Sequence, residues 1–240
     1  MSNSNTLAFI SDLHGNAVAL RAVLTDLQER GAARIYCLGD LVGYGPNPNG
    51  VIDLVRETGI PTVAGNYDDG VGFNRGHCGC WYPNEEAELI GTASYGFTAG
   101  EVTDDRKKWL RELPFSLQVS AGNKSMLLVH GSPRRINEYL LPERAPRTYE
   151  RLAAEIQDDT LIFGHTHTPW SGKFKGVRFI NVPSLGRPKD GDPRAAYTLH
   201  HPDRDTVQNL RVPYDWDSVA DHVLSQGLPS SLAESFRRGI

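Results

Sequence analysis

Short apolar runs, joined by amphipathic stretches and each ending on a polar turn, limit what this chain can become. Leu7 to Ile10 is long enough for a buried strand and is broken by Ser11-Asp12-Leu13-His14-Gly15-Asn16. Asn16 can cap a helix whose apolar stripe is Val18, Leu20, Val23, Leu24 and Leu27, closed by Gly31. Arg34 to Leu38 is the next strand and stops at Gly39-Asp40. Asn47-Pro48 then fits a cap with proline in the first helical turn; Val51, Ile52, Leu54 and Val55 give the second helix its buried side, and Gly59 ends it. Ile60 to Ala64 reads as a third strand, delivering Gly65-Asn66-Tyr67-Asp68-Asp69. Strands joined by helices favour a parallel sheet with right-handed crossovers, and open α/β sheets place ligands at the carboxyl ends of such strands. Asp12, Asp40 and Asn66 all fall on that side.

The rest of the chain is less regular. Residues 73–84, with Gly76, Gly79 and Pro83, read as a loop over the site. Glu85 to Tyr95 reads as a helix, and Thr103 caps a short one carrying Trp109, Leu110 and Leu113. Phe115 to Val119 and Ser125 to Val129 form an expected hairpin that empties into His130-Gly131. Tyr149 to Gln157 is helical, and the strand Thr160 to Phe163 ends at Gly164-His165-Thr166-His167. Lys173 to Lys175, Val177 to Val182, Ala195 to His200 and Val207 to Val212 read as consecutive strands with antiparallel connections in a second sheet. Trp216 to Leu224 and Leu228 to Phe236 close the chain as helices. The expectation is a single domain over 1–240, with a loop and helical insertion around 70–113 and C-terminal helices around 216–237.

Composition narrows the function classes. At 240 residues and 39% hydrophobic, the chain can bury one sizeable core. Its 29 acidic and 25 basic residues give a net charge of -4, which disfavours a dedicated nucleic-acid binder. No apolar run is long enough to span a bilayer, so no membrane partner is expected. Met1 to Asn5 offer neither a basic region nor an apolar stretch of signal-peptide length, and a cytoplasmic location is expected. Cys37, Cys78 and Cys80 are too few for a disulfide framework; Cys37 reads as a core residue, and Cys78-Gly79-Cys80 is too closely spaced for a convincing zinc pair.

Carboxylates, imidazoles and an amide oxygen recur where the apolar runs stop, so strand ends converge on a metal site. Such donors suit hard or borderline divalent ions: Mn²⁺ and Fe²⁺ fit the mixed oxygen and nitrogen set, and Zn²⁺ also suits it. Two ions roughly 3.5–4 Å apart need a bridging group and can clamp a phosphoryl group undergoing in-line attack. Taken singly, Asp12 could cap a turn, Asp40 or Asn66 could build an Asx-turn, and His14 or His130 could be ordinary loop residues. Their shared order carries the inference.

The set Asp12-x-His14, Gly39-Asp40, Gly65-Asn66, His130 and Gly164-His165-x-His167 resembles the calcineurin-like metallophosphoesterase superfamily, particularly its small bacterial and archaeal phosphodiesterases, from about residue 6 to residue 200. The resemblance implies an α/β fold, a four-layer α-β-β-α sandwich with two mixed sheets. It implies two divalent ions: Asp12, His14 and His167 at the first, Asn66, His130 and His165 at the second, and Asp40 between them. The implied activity is hydrolysis of a phosphodiester in a small phosphorylated substrate by metal-bound hydroxide. Phosphomonoester, protein or dinucleoside-polyphosphate hydrolysis is the alternative, as is a catalytically weak metal-binding scaffold. A homodimer is left open.

Tyr67 is the departure. The family's commonest pattern places histidine there, contacting the phosphate and assisting the leaving group, and a phenol is a poorer proton donor at neutral pH. His77, and less so Tyr44, are the loop residues that could supply the missing donor. Asp68 is a candidate for orienting Tyr67 or a ligand. Arg134 and Arg135 follow His130 and could reach a phosphate. The resemblance sets the segment with Ser184 and Arg187 near the second ion and makes both pocket candidates. No P-loop or dinucleotide fingerprint is present.

Overall fold

A computed structural model describes residues 6–32 and 34–240; the expectation about Met1 to Asn5 lies outside them. In chain order the elements are β1 (Leu7–Ile10), α1 (Ala17–Glu29), β2 (Arg34–Cys37), α2 (Pro48–Thr58), α3 (Asn66–Gly72), α4 (Glu85–Glu101), α5 (Asp104–Glu112), β3 (Ser116–Ala121) and β4 (Lys124–Val129). They continue with α6 (Pro146–Ala153), β5 (Thr160–Phe163), β6 (Trp170–Phe174), β7 (Val177–Asn181), β8 (Ala195–His201), β9 (Thr206–Val212), α7 (Trp216–Ser225) and α8 (Ser230–Arg238).

The strands form two mixed sheets, ordered β2-β1-β8-β9 and β3-β4-β5-β7-β6. Alternation along each strand makes the layers. In β1, Leu7 and Phe9 point between the sheets to meet Met126, Leu128, Ile162 and Ile180, whereas Ala8 and Ile10 point out onto α1, α2, α7 and α8. In β5, Ile162 faces inward while Leu161 and Phe163 pack on Tyr149 and Leu152 of α6. This is the expected four-layer α-β-β-α sandwich, although the second outer layer is one short helix and the segment around Leu140. Full burial of each of these large side chains contributes about 1.5–3 kcal/mol. No helix among the described residues is long and apolar enough to cross a membrane.

Local signals start and stop the helices. The side chains of Asn16 and Asn47 accept hydrogen bonds from the Ala19 and Gly50 amides, and Gly59 ends α2 in a left-handed conformation. Several expectations change. Val18 is 41% exposed and Ala19 takes its place in the core, so the stripe of α1 is rotated. Ile60 to Ala64 is not a full strand: it keeps a single parallel bridge, Cys37 to Thr62, because Pro61 has no amide hydrogen to donate. It still runs along β2, with Cys37 N–H donating to Pro61 O and Val63 N–H to Cys37 O, and so delivers Asn66 to the first residue of α3, an unanticipated helix. The last four strands split: β6 and β7 stay in the five-stranded sheet, while β8 returns to pair antiparallel with β1.

Candidate metal centre

The turns after β1, β2, β4 and β5 meet at one end of the two sheets. Asp12 N–H donates to Gly39 O, His14 N–H to Asp40 O and Gly15 N–H to Leu41 O, which zips the first two turns together. The turn bearing Asn66 closes on them because Gly65 has no side chain: a Cβ there would lie 2.1 Å from the Asp40 amide nitrogen and from Asp40 Oδ1. Six of the nine non-glycine residues with positive φ among the described residues stand here: Asp12, His14, Asp40, Tyr44, His165 and His167. Such backbone strain, of order 1–3 kcal/mol per residue, persists only where surrounding structure imposes it and clusters at functional sites.

Two groups of side chains converge, Asp12 with His14 and His167, and Asp40 with His130 and His165; within each group the potential ligand atoms lie within 4.8 Å of one another. All six are buried. His14 Nδ1–H donates to Val42 O and His167 Nδ1–H to Arg187 O, so the two Nε2 lone pairs face each other at 3.0 Å. His130 Nδ1–H donates to Leu38 O, which turns its Nε2 toward Asn66 Oδ1 at 3.0 Å. Asn66 Oδ1 is fixed in that direction because its amide nitrogen donates to Cys78 O and Cys80 Sγ. Asp12 Oδ1 and His165 Nε2 have no hydrogen-bond partner among the described residues. Opposed lone pairs and orphaned buried acceptors are what a cation satisfies, and carbonyls fixing the far nitrogens of His14, His130 and His167 are the usual outer partners of metal-binding imidazoles. The residues present fit a pair of divalent ions.

Asp40 lies between the groups, with Oδ2 3.9 Å from His14 Nε2 and 3.4 Å from His130 Nε2, while Oδ1 accepts the Tyr67 amide. Burial opposes the charge on Asp12, but His167, His130 and His14 outweigh it and hold the carboxyl well below its ordinary range. Burial, followed by the charge of His167, holds His14 neutral. Burial also pulls His130 down, but Asp40 and Asp12 reverse this and lift it to about 9.

The other anticipated residues are scattered. Asp68 touches no ligand side chain: its two oxygens accept the Leu41 and Gly65 amides, bracing the residues next to Asp40 and Asn66. Tyr67 is fully buried among Tyr44, Tyr95 and His14, its hydroxyl has no hydrogen-bond partner among the described residues, and burial then Tyr44 push its pKa well above the ordinary tyrosine value. Its phenol therefore does not reach the open face. His77 is exposed and lines a cavity with Cys78, Cys80, Tyr82 and Tyr95, to which none of the metal-group residues contributes. Arg134 is committed to Glu155 through two hydrogen bonds, and Arg135 is exposed in a groove with Trp81 and Tyr139. Ser184 and Arg187 lie by the first group and not the second: Ser184 Oγ–H donates to Asp12 O, and the Gly186 amide donates to the same carbonyl. Ser184 is thereby a brace for Asp12 with no exposed surface.

Three contacts carry no signal in the sequence. Tyr139 lies 4.0 Å, ring to ring, from His165. Cys80 receives the Asn66 amide. The charge of Lys189 bears on both His165 and His167. Only the run Arg187-Pro188-Lys189, two cations in a turn, could have drawn attention to the last.

Residues 6–205 match the family model for the calcineurin-like phosphoesterase superfamily domain. An uncharacterized protein of Methanocaldococcus jannaschii is 30% identical over 245 residues, covering 95% of this chain and 96% of that protein. The phosphodiesterase YfcE of Escherichia coli is 25% identical over 198 residues, 80% of this chain and 85% of YfcE. The crystal structure of a metallophosphoesterase from Sphaerobacter thermophilus superposes with a TM-score of 0.77 at 29% identity, over 98% of this chain and 99% of that one. A hypothetical protein from Pyrococcus horikoshii shares the fold, with a TM-score of 0.85 at 22% identity over 98% of each chain. With its two His/Asp groups standing at the ends of the strands, the chain belongs to the calcineurin-like phosphoesterase superfamily and is a metal-dependent phosphoric-ester hydrolase.

Proposed function

We propose that the protein hydrolyses a phosphodiester in a small phosphorylated substrate with two divalent ions, the first held by Asp12, His14 and His167, the second by Asn66, His130 and His165, and both by Asp40. The observation that carries this reading is the place of Asp40 Oδ2, within 4 Å of the ligand nitrogen of one histidine from each group. Divalent ions bound by these residues would polarise phosphoryl oxygens and lower the pKa of a water they hold. The chain's contribution is rigidity: the imidazoles of His14, His130 and His167 are each fixed by a carbonyl, Asn66 by Cys78, and Asp40 by the Tyr67 amide, so little rearrangement accompanies the reaction. Mn²⁺ or Fe²⁺ suits this donor set, and Zn²⁺ also does. YfcE, named a phosphodiesterase, supports the diester over the monoester.

The test is an assay of metal-reconstituted protein on bis(p-nitrophenyl) phosphate and on p-nitrophenyl phosphate, with Asp40→Asn and His130→Ala in parallel. The diester should be the better substrate and both variants should lose at least about 100-fold in kcat/KM, the scale of losing one well-placed electrostatic group. Equal activity in the wild type and both variants rejects the centre; a preference for the monoester rejects the diesterase assignment.

A further inference from the structure

Arg187 is a buried cation without a counter-ion among the described residues. It is 8% exposed, its Nε has no hydrogen-bond partner, and no carboxylate among the described residues pairs with its guanidinium. Leaving a buried charge uncompensated is among the most unfavourable things a fold can do, and each such group calls for an explanation. Packing holds it in place: its Cζ stands 4.2 Å over the Tyr44 ring, and the Tyr44 ring meets the edge of His14 at 5.0 Å between centroids. The guanidinium is therefore one aromatic ring away from a ligand of the first ion.

Lys189 follows two residues later and is also without an ion-pair partner among the described residues. Its side chain is exposed to solvent. Desolvation by the protein around it, followed by the charge of Arg187, brings its ammonium down to about 8, and the carboxylates of Asp12 and Asp40 act on it in the opposite sense. Two cations thus stand beside a centre that holds two carboxylates of its own, Asp12 and Asp40, neither of which forms an ion pair with them. Each divalent ion adds positive charge that one singly charged phosphodiester does not offset.

We infer that Arg187 and Lys189, with Tyr44 as the platform, form a second anion subsite beside the first ion, and that the preferred substrate is a phosphate ester bearing a second phosphoryl group. Arginine's planar fork suits phosphate oxygens, and stacking on Tyr44 holds that fork in orientation before the ligand arrives. This assignment rests on the proposed hydrolase reading for its scissile phosphate, but the subsite itself belongs to the chain. It lies on the side of His14 and His167.

The test uses two substrates that differ by one phosphate: thymidine 5′-(p-nitrophenyl phosphate) and its 3′-phosphorylated counterpart. The ion-loaded wild type should favour the second by at least tenfold in kcat/KM. Lys189→Met, at an exposed position that folding tolerates, and Arg187→Met should each cut that ratio by about tenfold or more. Lys124→Met, which removes a cation paired with Asp159, should leave the ratio unchanged. Calorimetric titration of the metal-free protein with inorganic pyrophosphate reads the subsite without turnover, and Lys189→Met should weaken that binding severalfold. A ratio unchanged in Lys189→Met overturns the inference whatever the pyrophosphate result. If the loaded wild type turns over neither substrate, the titration decides: binding that depends on Lys189 leaves the subsite standing while the hydrolase reading falls, and binding indifferent to Lys189 overturns both.

Discussion

Replacing His14 by alanine should remove the stability gained from the first ion and leave that from the second. Both nitrogens of the His14–His167 pair are accounted for: each Nδ1–H is spent on a carbonyl, and the two Nε2 acceptors face each other at 3.0 Å. A buried acceptor without a donor costs about 1–3 kcal/mol, so the metal-free protein carries a local penalty that an ion removes. An ion at a hundred times its dissociation constant stabilises the fold by about 2.7 kcal/mol, and at this chain length each kcal/mol raises Tm by about 2–4 °C. Each filled site should therefore add about 5–10 °C. Loss of a ligand should weaken binding at least as much as loss of an outer partner, roughly 10–100-fold. At a hundredfold loss the same ion concentration merely equals the dissociation constant, and the contribution falls to about 0.4 kcal/mol. The measurement is thermal unfolding of wild type and His14→Ala in chelator and in saturating Mn²⁺, with elemental analysis of the ions retained. Subtracting the chelator melt from the loaded melt cancels the cavity and the strain of a non-glycine residue at φ 46°. A little under half of the total ion-induced shift, and at least about half an ion of the two, should disappear; His130→Ala should take a like share from the other site. A full shift in His14→Ala would refute the assignment of Asp12, His14 and His167 to an ion.

Three further outcomes follow from the same contacts. Asp68→Asn leaves one oxygen to serve two amides, those of Leu41 and Gly65, so it should destabilise the protein by about 1–3 kcal/mol and weaken ion affinity about 10–100-fold, read by melting and ion titration; an unchanged affinity would show that the brace does not matter to Asp40 and Asn66. Gly186→Ala would set a Cβ 1.8 Å from the Leu13 carbonyl oxygen, whereas Gly96→Ala meets nothing within 4 Å on exposed helix; denaturation should show the first losing about 3 kcal/mol and the second gaining about 0.5–1 kcal/mol, and equal effects would contradict the packing of the Ser184 segment on the first turn. Tyr67→Phe removes a buried hydroxyl with no partner, so stability should change by less than about 1 kcal/mol and kcat/KM by less than about threefold; a loss above tenfold would place the phenol against the substrate.

Much of the centre was legible because it is local. An apolar run followed at once by a polar residue marks a strand end, and the structure keeps Asp12, Asp40, Asn66, His130, His165 and His167 at such ends, even where the run before Asn66 is too interrupted by Pro61 to be a strand. The helices were legible from Asn16, Asn47 and Gly59 because a cap is a contact between residues three or four apart.

What the linear pattern could not carry is non-local. Alternation tells which residues of β8 are buried but not which sheet they join, and pairing with β1, almost two hundred residues away, is decided by how the two inner faces fill against each other. That pairing draws the following and preceding turns with it, so Ser184 reaches Asp12 and Arg187 reaches Tyr44. The identity of the ligand-bearing turns was written in short-range chemistry; the company they keep was set by packing, because side chains separated by a hundred or more residues meet only where the two sheets close.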